Sequence, residues 1–571
     1  MRSNLLTTLL ALAIAALPAA AAASTSIIIV NGNAPGVGFN DPTPAAPIGG
    51  NAGTTVGQQR LIAFQYAADI WGATLDSAVP VRVLATFDAL SCTATTAVLG
   101  SAGTQYIASM PTDFQPAGFS PALFRDTWYH IAIANKYARV DLVEGDSQIR
   151  ARFNSNLGQA GCLTGTGWYY GLDTGHGTQI NLVTVLLHEF AHGLGFSSFA
   201  SVIDGSLLGG QIDIYSKYYY DLTQGKFREQ MTNAERVTSA INSRNVIWTG
   251  PHVTAAVPAV LQPGTPILRI TSPPAIDGYY AVGTASFGPQ LTATGVMGTM
   301  VAALDPADAA GPSPLDACSP LTNAADVAGK IALVNRGTCG FVVKAKNVQN
   351  AGAIAMIVAD NAAGSPPAGL GGTDPTITIP SVRITQTDGA LIRAQLAAGV
   401  TARLALDLAV IAGASPGGNA LLNAPNPVQS GSSISHWDPI ATPNQLMEPA
   451  INSDLTFAVT APKDLTYAQL RDVGWFPDPD LDTVPDDGTD KCPGSNLAAT
   501  VVIGGENTGV PNSLFPNGCT ISDLVGRCAA GARNHGGFVS CVAGLGNELV
   551  GMGVITGAQK GAIQRAAAHA K

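Results

Sequence analysis

Apolar side chains recur at helical spacing through Gln58-Gln-Arg-Leu-Ile-Ala-Phe-Gln-Tyr-Ala-Ala-Asp-Ile-Trp71, which predicts a helix within residues 54–78. The pattern then changes. Val79-Pro-Val-Arg-Val-Leu-Ala-Thr-Phe87 and Ser147-Gln-Ile-Arg-Ala-Arg-Phe153 read as strands. A second apolar run, Asn181 to Leu187, opens on a good N-cap residue and continues through His188-Glu-Phe-Ala-His192 to Gly193 and Gly195, the usual residue type just past a helix end. Helix, strands and a further helix in this order predict an α+β domain of mixed sheet and helices. Residues 197–260, with Tyr215-Ser-Lys-Tyr-Tyr-Tyr220, show no sustained period and are expected to form an irregular insertion. From about 265 to 412 the chain is richer in Gly, Ala, Pro and Val. Lys330–Asn335 reads as a strand, Phe341–Ala351 as a helix and Ala353–Ala359 as a strand, so a separate β-rich module is expected.

Composition narrows the class. The chain has 571 residues, only 12% of them charged, with 64 Gly and 37 Pro, which suits a loop-rich, β-containing exported protein. A net charge of −10 argues against a nucleic-acid partner. Arg2, the apolar stretch Leu5–Leu17 and the small residues Pro18–Ala23 have the form of a secretory signal over residues 1–23. That stretch is short for a span of about 20 residues, and no other is long enough, so the mature protein is expected to be secreted without a membrane span. Eight cysteines fit an oxidising compartment. They fall as Cys92 and Cys162, Cys318 and Cys339, and the group Cys492, Cys519, Cys528 and Cys541, with pairing expected inside each cluster.

The chemistry centres on His188-Glu-Phe-Ala-His192. On a helix, i and i+4 share a face, so His188 and His192 can aim two imidazoles at one zinc ion, with Glu189 beside them as general base. The plainer reading is a buried amphipathic helix with satisfied core histidines. A catalytic zinc needs a third ligand. Of the other histidines His436 stands out by context, in Ser435-His-Trp-Asp438 ahead of Asn444-Gln-Leu-Met-Glu-Pro449. The competing ligand is Asp438, or an Asp or Glu elsewhere; Asp438 is alternatively a group orienting a zinc-bound His. Farther on, Asp478, Asp480, Asp482, Asp486 and Asp490 alternate over thirteen residues and offer oxygen ligands to calcium. They do not form an EF-hand, since Thr483 and Thr489 occupy the positions of its Gly and Glu. Gly413-Ala-Ser-Pro-Gly417 matches the serine-hydrolase elbow pattern, but Pro416 lacks the N–H that its oxyanion hole needs, so the stretch reads as a loop.

Three family resemblances follow. His188-Glu-Phe-Ala-His-Gly-Leu-Gly-Phe196 resembles the zinc helix of leishmanolysin-like metallopeptidases, within the metzincins. Their usual third His would fall at Ser198; in the leishmanolysin branch an insertion delays it to a Ser-His-Trp-acid segment eleven residues before the Met-turn methionine, the spacing of His436 and Met447. The resemblance implies a metzincin-type catalytic domain in two parts (24–260 and 425–476), zinc on His188, His192 and His436, Glu189 as base, Met447 in the Met-turn, and peptide or protein substrates. The insertion here is larger than the family's. Gly329-Lys-Ile331, Arg336-Gly-Thr-Cys339, Phe341, Lys344, Ala351-Gly-Ala353, Asn361 and Ile379-Pro-Ser-Val382 resemble the protease-associated (PA) domain, which implies an inserted, substrate-contacting or access-controlling module over 265–412. The acidic stretch 477–495 resembles a single thrombospondin type 3 repeat, which implies a calcium-binding linker ahead of a cysteine-containing helical tail, 496–571. The competing functional class is an inert secreted binding or adhesion protein that uses the PA-like and linker modules.

Overall fold

The computed structural model describes residues 25–109, 124, 126–486 and 490–570, and the expected signal segment lies outside them. The body that carries His188 and His192 is built on strands β1 (Ile27–Asn31), β2 (Val81–Asp88), β3 (Gly100–Thr104) and β4 (Ile149–Asn154), with helices α1 (Val56–Thr74), α2 (Ile131–Ala138) and α3 (Leu182–Leu194). Sheet order is β1-β2-β4-β3. β1, β2 and β4 run parallel, and β3 is antiparallel to β4. Alternation along β2 buries Val81, Val83, Ala85 and Phe87, as expected of a strand with one face on the core. Thr55 caps α1 by accepting the Gln58 N–H.

The two long helices lie together on that core. Trp71 of α1 donates its indole N–H to the Leu187 carbonyl of α3 at 3.1 Å. Phe64 packs edge-on against Phe153 of β4, ring centroids 4.9 Å apart, and against Phe190 of α3. Gly193 lets α3 cross β4 closely, since a Cβ there would sit 2.5 Å from the Ile149 side chain.

Residues 197–260 are more ordered than their pattern suggests. They hold a three-stranded sheet, Lys226–Phe227, Tyr219–Asp221 and Val246–Trp248, followed by a helix at Pro251–Val260. Tyr215, Tyr219 and Trp248 are fully buried in the same hydrophobic core as α1 and α3, and the Trp248 indole donates to Asp472 on helix Thr466–Val473. The pattern does not show them because the strands, two or three residues each, are too short to carry a period.

The β-rich module is an eight-stranded sheet with a hydrophobic cluster on each face. Four parallel strands, Val296–Ala302, Ile331–Asn335, Ala355–Ala359 and Ser381–Ile384, form its middle. The long strands Pro263–Ser272 and Val400–Ile411 pair antiparallel, so the chain leaves and re-enters the first body at one place. Gln262 fastens that place, its N–H donating to Thr442 and its carbonyl accepting from Ala412. Gly413–Gly417 is a turn just past the returning strand. The tail combines a hairpin, Thr500–Ile503 and Glu506–Pro511, with helices Ile521–Gly531, His535–Gly551 and Gly557–His569 around its own core. Disulfides join Cys92–Cys162, Cys318–Cys339, Cys492–Cys519 and Cys528–Cys541, each within its expected cluster.

Candidate metal centre

Helix α3 is fixed at both ends. The Asn181 side chain accepts the Thr184 N–H, and the chain leaves through Gly195 at φ 143°, where little beyond glycine fits because Ile133 and Val473 close in. This exit turns the chain back so that the Phe196 carbonyl accepts the Nδ1–H of His192 at 2.8 Å. His188 donates Nδ1–H to Leu446 O at 2.7 Å, and His436 donates to Ser432 O at 2.9 Å. With each Nδ1–H spent on a carbonyl, each Nε2 presents a lone pair.

The three Nε2 atoms converge. That of His188 lies 3.2 Å from His192 Nε2 and 3.2 Å from His436 Nε2. Tetrahedral nitrogen ligands about 2.0–2.1 Å from a zinc ion stand about 3.3 Å apart. Three lone pairs at this spacing repel one another unless a cation lies between them, so the donor set fits a metal ion. Burial pushes His188 down to about 3 and His192 to about 4, and holds His436 well below its ordinary value, so all three imidazoles are neutral, the form that binds metal.

Glu189 faces the same cleft, a cavity of about 740 Å³ bounded by β3, α3 and the segments 430–436 and 449–451. Burial raises its carboxyl to about 8, and the Ala102 N–H of β3 bonds to it. Gly100 admits it, because a Cβ there would stand 3.1 Å from Glu189 Cγ. The sheet edge beside the metal centre is therefore β3. The Ser147–Phe153 segment, read as a strand from its pattern, is paired on both flanks as β4 and offers no free edge. Its alternation marks a strand but not a position within the sheet.

The second half of the site comes from 244 residues beyond His192. Trp437 N–H donates to Met447 O at 2.8 Å, and Met447 is fully buried, so the His436 segment and the turn around Met447 are locked together. Asp464, buried, accepts the Leu446 N–H at 2.7 Å and so holds the residue whose carbonyl orients His188. Nothing in the sequence marked Asp464, or the carbonyls of Ser432, Leu446 and Phe196. Ser198, in the place of the ordinary third ligand, instead donates to Asp213 and takes no part in the triad. Asp438 does not orient a metal-binding histidine either. Backbone carbonyls fill that role at all three imidazoles, and Asp438 lies in a different cavity.

The acidic linker forms a second candidate cluster. Carboxylate oxygens of Asp478, Asp480 and Asp482 lie within 4.8 Å of one another, as do those of Asp480, Asp486 and Asp490. Burial, and then crowding by neighbouring carboxylates, raises Asp482 and Asp486 to about 7 and Asp478 to about 6. Asp478 also touches the body that holds α2, where buried Lys136 lies 3.4 Å from its Oδ2.

Residues 296–392 match the family model described as "PA domain", and the chain carries a PA domain there. Among curated proteins the chain is 43% identical over 91 residues to ER degradation-enhancing alpha-mannosidase-like protein 3 of Homo sapiens, covering 14% of this chain and 10% of that protein. It is 38% identical over 76 residues to the minor extracellular protease Vpr of Bacillus subtilis (strain 168), covering 13% and 9%. The chain thus spans about a tenth of the length of these relatives. Among solved structures, a zinc aminopeptidase from Bacillus subtilis matches at TM-score 0.19 and 23% identity over 27% of this chain and 35% of that one.

Proposed function

We propose that this protein is a secreted, zinc-dependent endopeptidase of metzincin type, similar to leishmanolysin in its arrangement, with a PA domain inserted between the two halves of its metal site. The observation that carries this reading is the convergence of the three imidazoles, His188 Nε2 lying 3.2 Å from those of His192 and His436, each with its Nδ1 tied to a carbonyl, beside Glu189 in an open cleft. His188, His192 and His436 would hold the zinc, with Met447 in the turn beneath it. Zinc bound there supplies Lewis acidity toward a water and a substrate carbonyl.

The remaining work falls to the chain itself. Glu189 takes a proton from the attacking water and returns it to the leaving amine. A zinc ion held by the neighbouring histidines would lower this carboxyl from its metal-free value of about 8, so that Glu189 stands ionised and can accept that proton. An extended peptide adds antiparallel to the free edge of β3, whose backbone then fixes the scissile bond over Glu189. Four disulfides, an expected signal segment, no described helix long and apolar enough to cross a membrane, and a relative that is by name an extracellular protease support secretion. The aspartates 478, 480, 482, 486 and 490 are read as a structural calcium site. Casein hydrolysis tests the activity. It should be abolished by a chelator and restored by zinc, and chelator-resistant hydrolysis would sink the metal mechanism.

A further inference from the structure

Where the inserted module meets the catalytic body there is a second cavity of about 570 Å³. Arg336, Asp360 and Arg383 wall it from the insert, and Arg244 and Asp438 from the catalytic body. Gln429 lines this cavity, the following residues Ser430 to Ser432 line the metal cleft, and Pro449 lines both. One turn of chain therefore divides the two spaces, and the same turn supplies the Ser432 carbonyl that orients His436.

The charges in this cavity are incompletely matched. Asp360 is shared between Arg336, at 3.2 Å, and Arg383. Arg244 makes one long bond, 3.4 Å, to the Val282 carbonyl. The Nε atoms of Arg244 and Arg383 are buried without a partner. Asp438 is 1% exposed; its Oδ1 accepts the Ile440 N–H, while Oδ2 has no partner. Three guanidinium groups face two carboxylates, an excess of positive charge in a chain whose net charge is −10. Buried charged groups left with unused hydrogen-bonding atoms are costly, and their number in one cavity marks a place shaped for a ligand. That ligand must bring an anionic acceptor for the guanidinium Nε atoms and an N–H for Asp438 Oδ2.

We propose that this cavity binds an acidic segment of a peptide that passes through the metal cleft, a Glu or Asp carboxylate lying on Arg244 and Arg383 and a backbone N–H on Asp438. A carboxylate suits the site better than a phosphate, because a dianion would meet Asp360 and Asp438 at close range. The site makes the PA-containing insert a reader of substrate charge at a distance from the scissile bond. It rests on the peptidase reading for why a peptide lies in the cleft.

The test is direct binding. Full-length, zinc-loaded protein carrying Glu189→Gln is titrated by fluorescence anisotropy with labelled Gly/Ser dodecapeptides in which a single Glu, or a single Gln, is walked along the chain. At one or two positions Glu should bind about tenfold tighter than Gln, the gain of roughly one charge-assisted contact. Arg244→Gln and Arg383→Gln should each bring those positions to within twofold of Gln and leave the Gln peptides unchanged. If one of the two does not fold by its melting curve, the other decides. Equal binding of Glu and Gln peptides at every position, or a Glu preference that survives in both variants, would overturn the proposal. A Glu preference that vanishes in the variants while the wild-type protein cleaves no peptide would sink the peptidase reading and leave this site standing.

Discussion

The histidine triad and the aspartate cluster are both groups that can gather around a cation, and they are built in opposite ways. The triad joins two chain segments 244 residues apart. Its donors are neutral, and each is oriented by a carbonyl behind it. The aspartate cluster is local, thirteen residues of sequence, and its members are charged groups that burial and mutual repulsion push toward protonation. A site of the first kind is preorganised by the fold around it and can serve chemistry. The second would gain its order from an ion bound there, which suits a structural role.

That contrast breaks most sharply at Glu189. Glu189→Gln should lower peptide turnover by about 10²–10⁴-fold while zinc content and melting temperature stay at wild-type values. Turnover assays with metal analysis check it, and full activity in the variant would remove Glu189 from the mechanism. Next comes the third ligand. His436→Ala should weaken zinc binding at least about a hundredfold, whereas Asp438→Asn should change it less than about threefold. Chelator competition measures both, and the reverse order would move the ligand to Asp438.

Asp464 sharpens the point that the triad is held from behind. Asp464→Asn keeps the shape and weakens the charge-assisted bond to Leu446 N–H. Zinc affinity should fall about 10–100-fold, with KM changed far less than kcat at limiting zinc. An unchanged zinc affinity would make Asp464 a purely structural residue. The smallest effect belongs to the linker. Calcium added to zinc-loaded, calcium-stripped protein at a hundred times its Kd should stabilise it by about 2.7 kcal/mol, read as a rise in Tm, with turnover at low temperature unchanged. No rise would mean that the aspartates form a solvated hinge.

The sequence is most legible where chemistry is local. His188, Glu189 and His192 lie on one helical turn and Asn181 and Gly195 mark that helix's ends, so periodicity and capping suffice to read them. His436 was reachable only through its spacing from Met447 and a family resemblance, because no local rule connects it to α3. The role of β3 was hidden. Gly100–Thr104 reads Gly-Ser-Ala-Gly-Thr, small residues with no apolar alternation, while the well-patterned strand at Ile149–Asn154 is interior. Position in a sheet is a matter of long-range pairing, which a strand pattern does not encode. The same holds for Asp464 and for the unpaired Arg244 and Asp438. Their meaning lies in what faces them across the fold.

The central claim is that one zinc ion is held by three imidazoles from two separated segments. X-ray absorption at the zinc edge of the purified full-length protein tests it most directly. The account predicts one zinc per chain with three imidazole nitrogens at about 2.0–2.1 Å, and one fewer in His436→Ala. A wild-type spectrum with two imidazoles and a protein carboxylate, or one unaltered by His436→Ala, would contradict it.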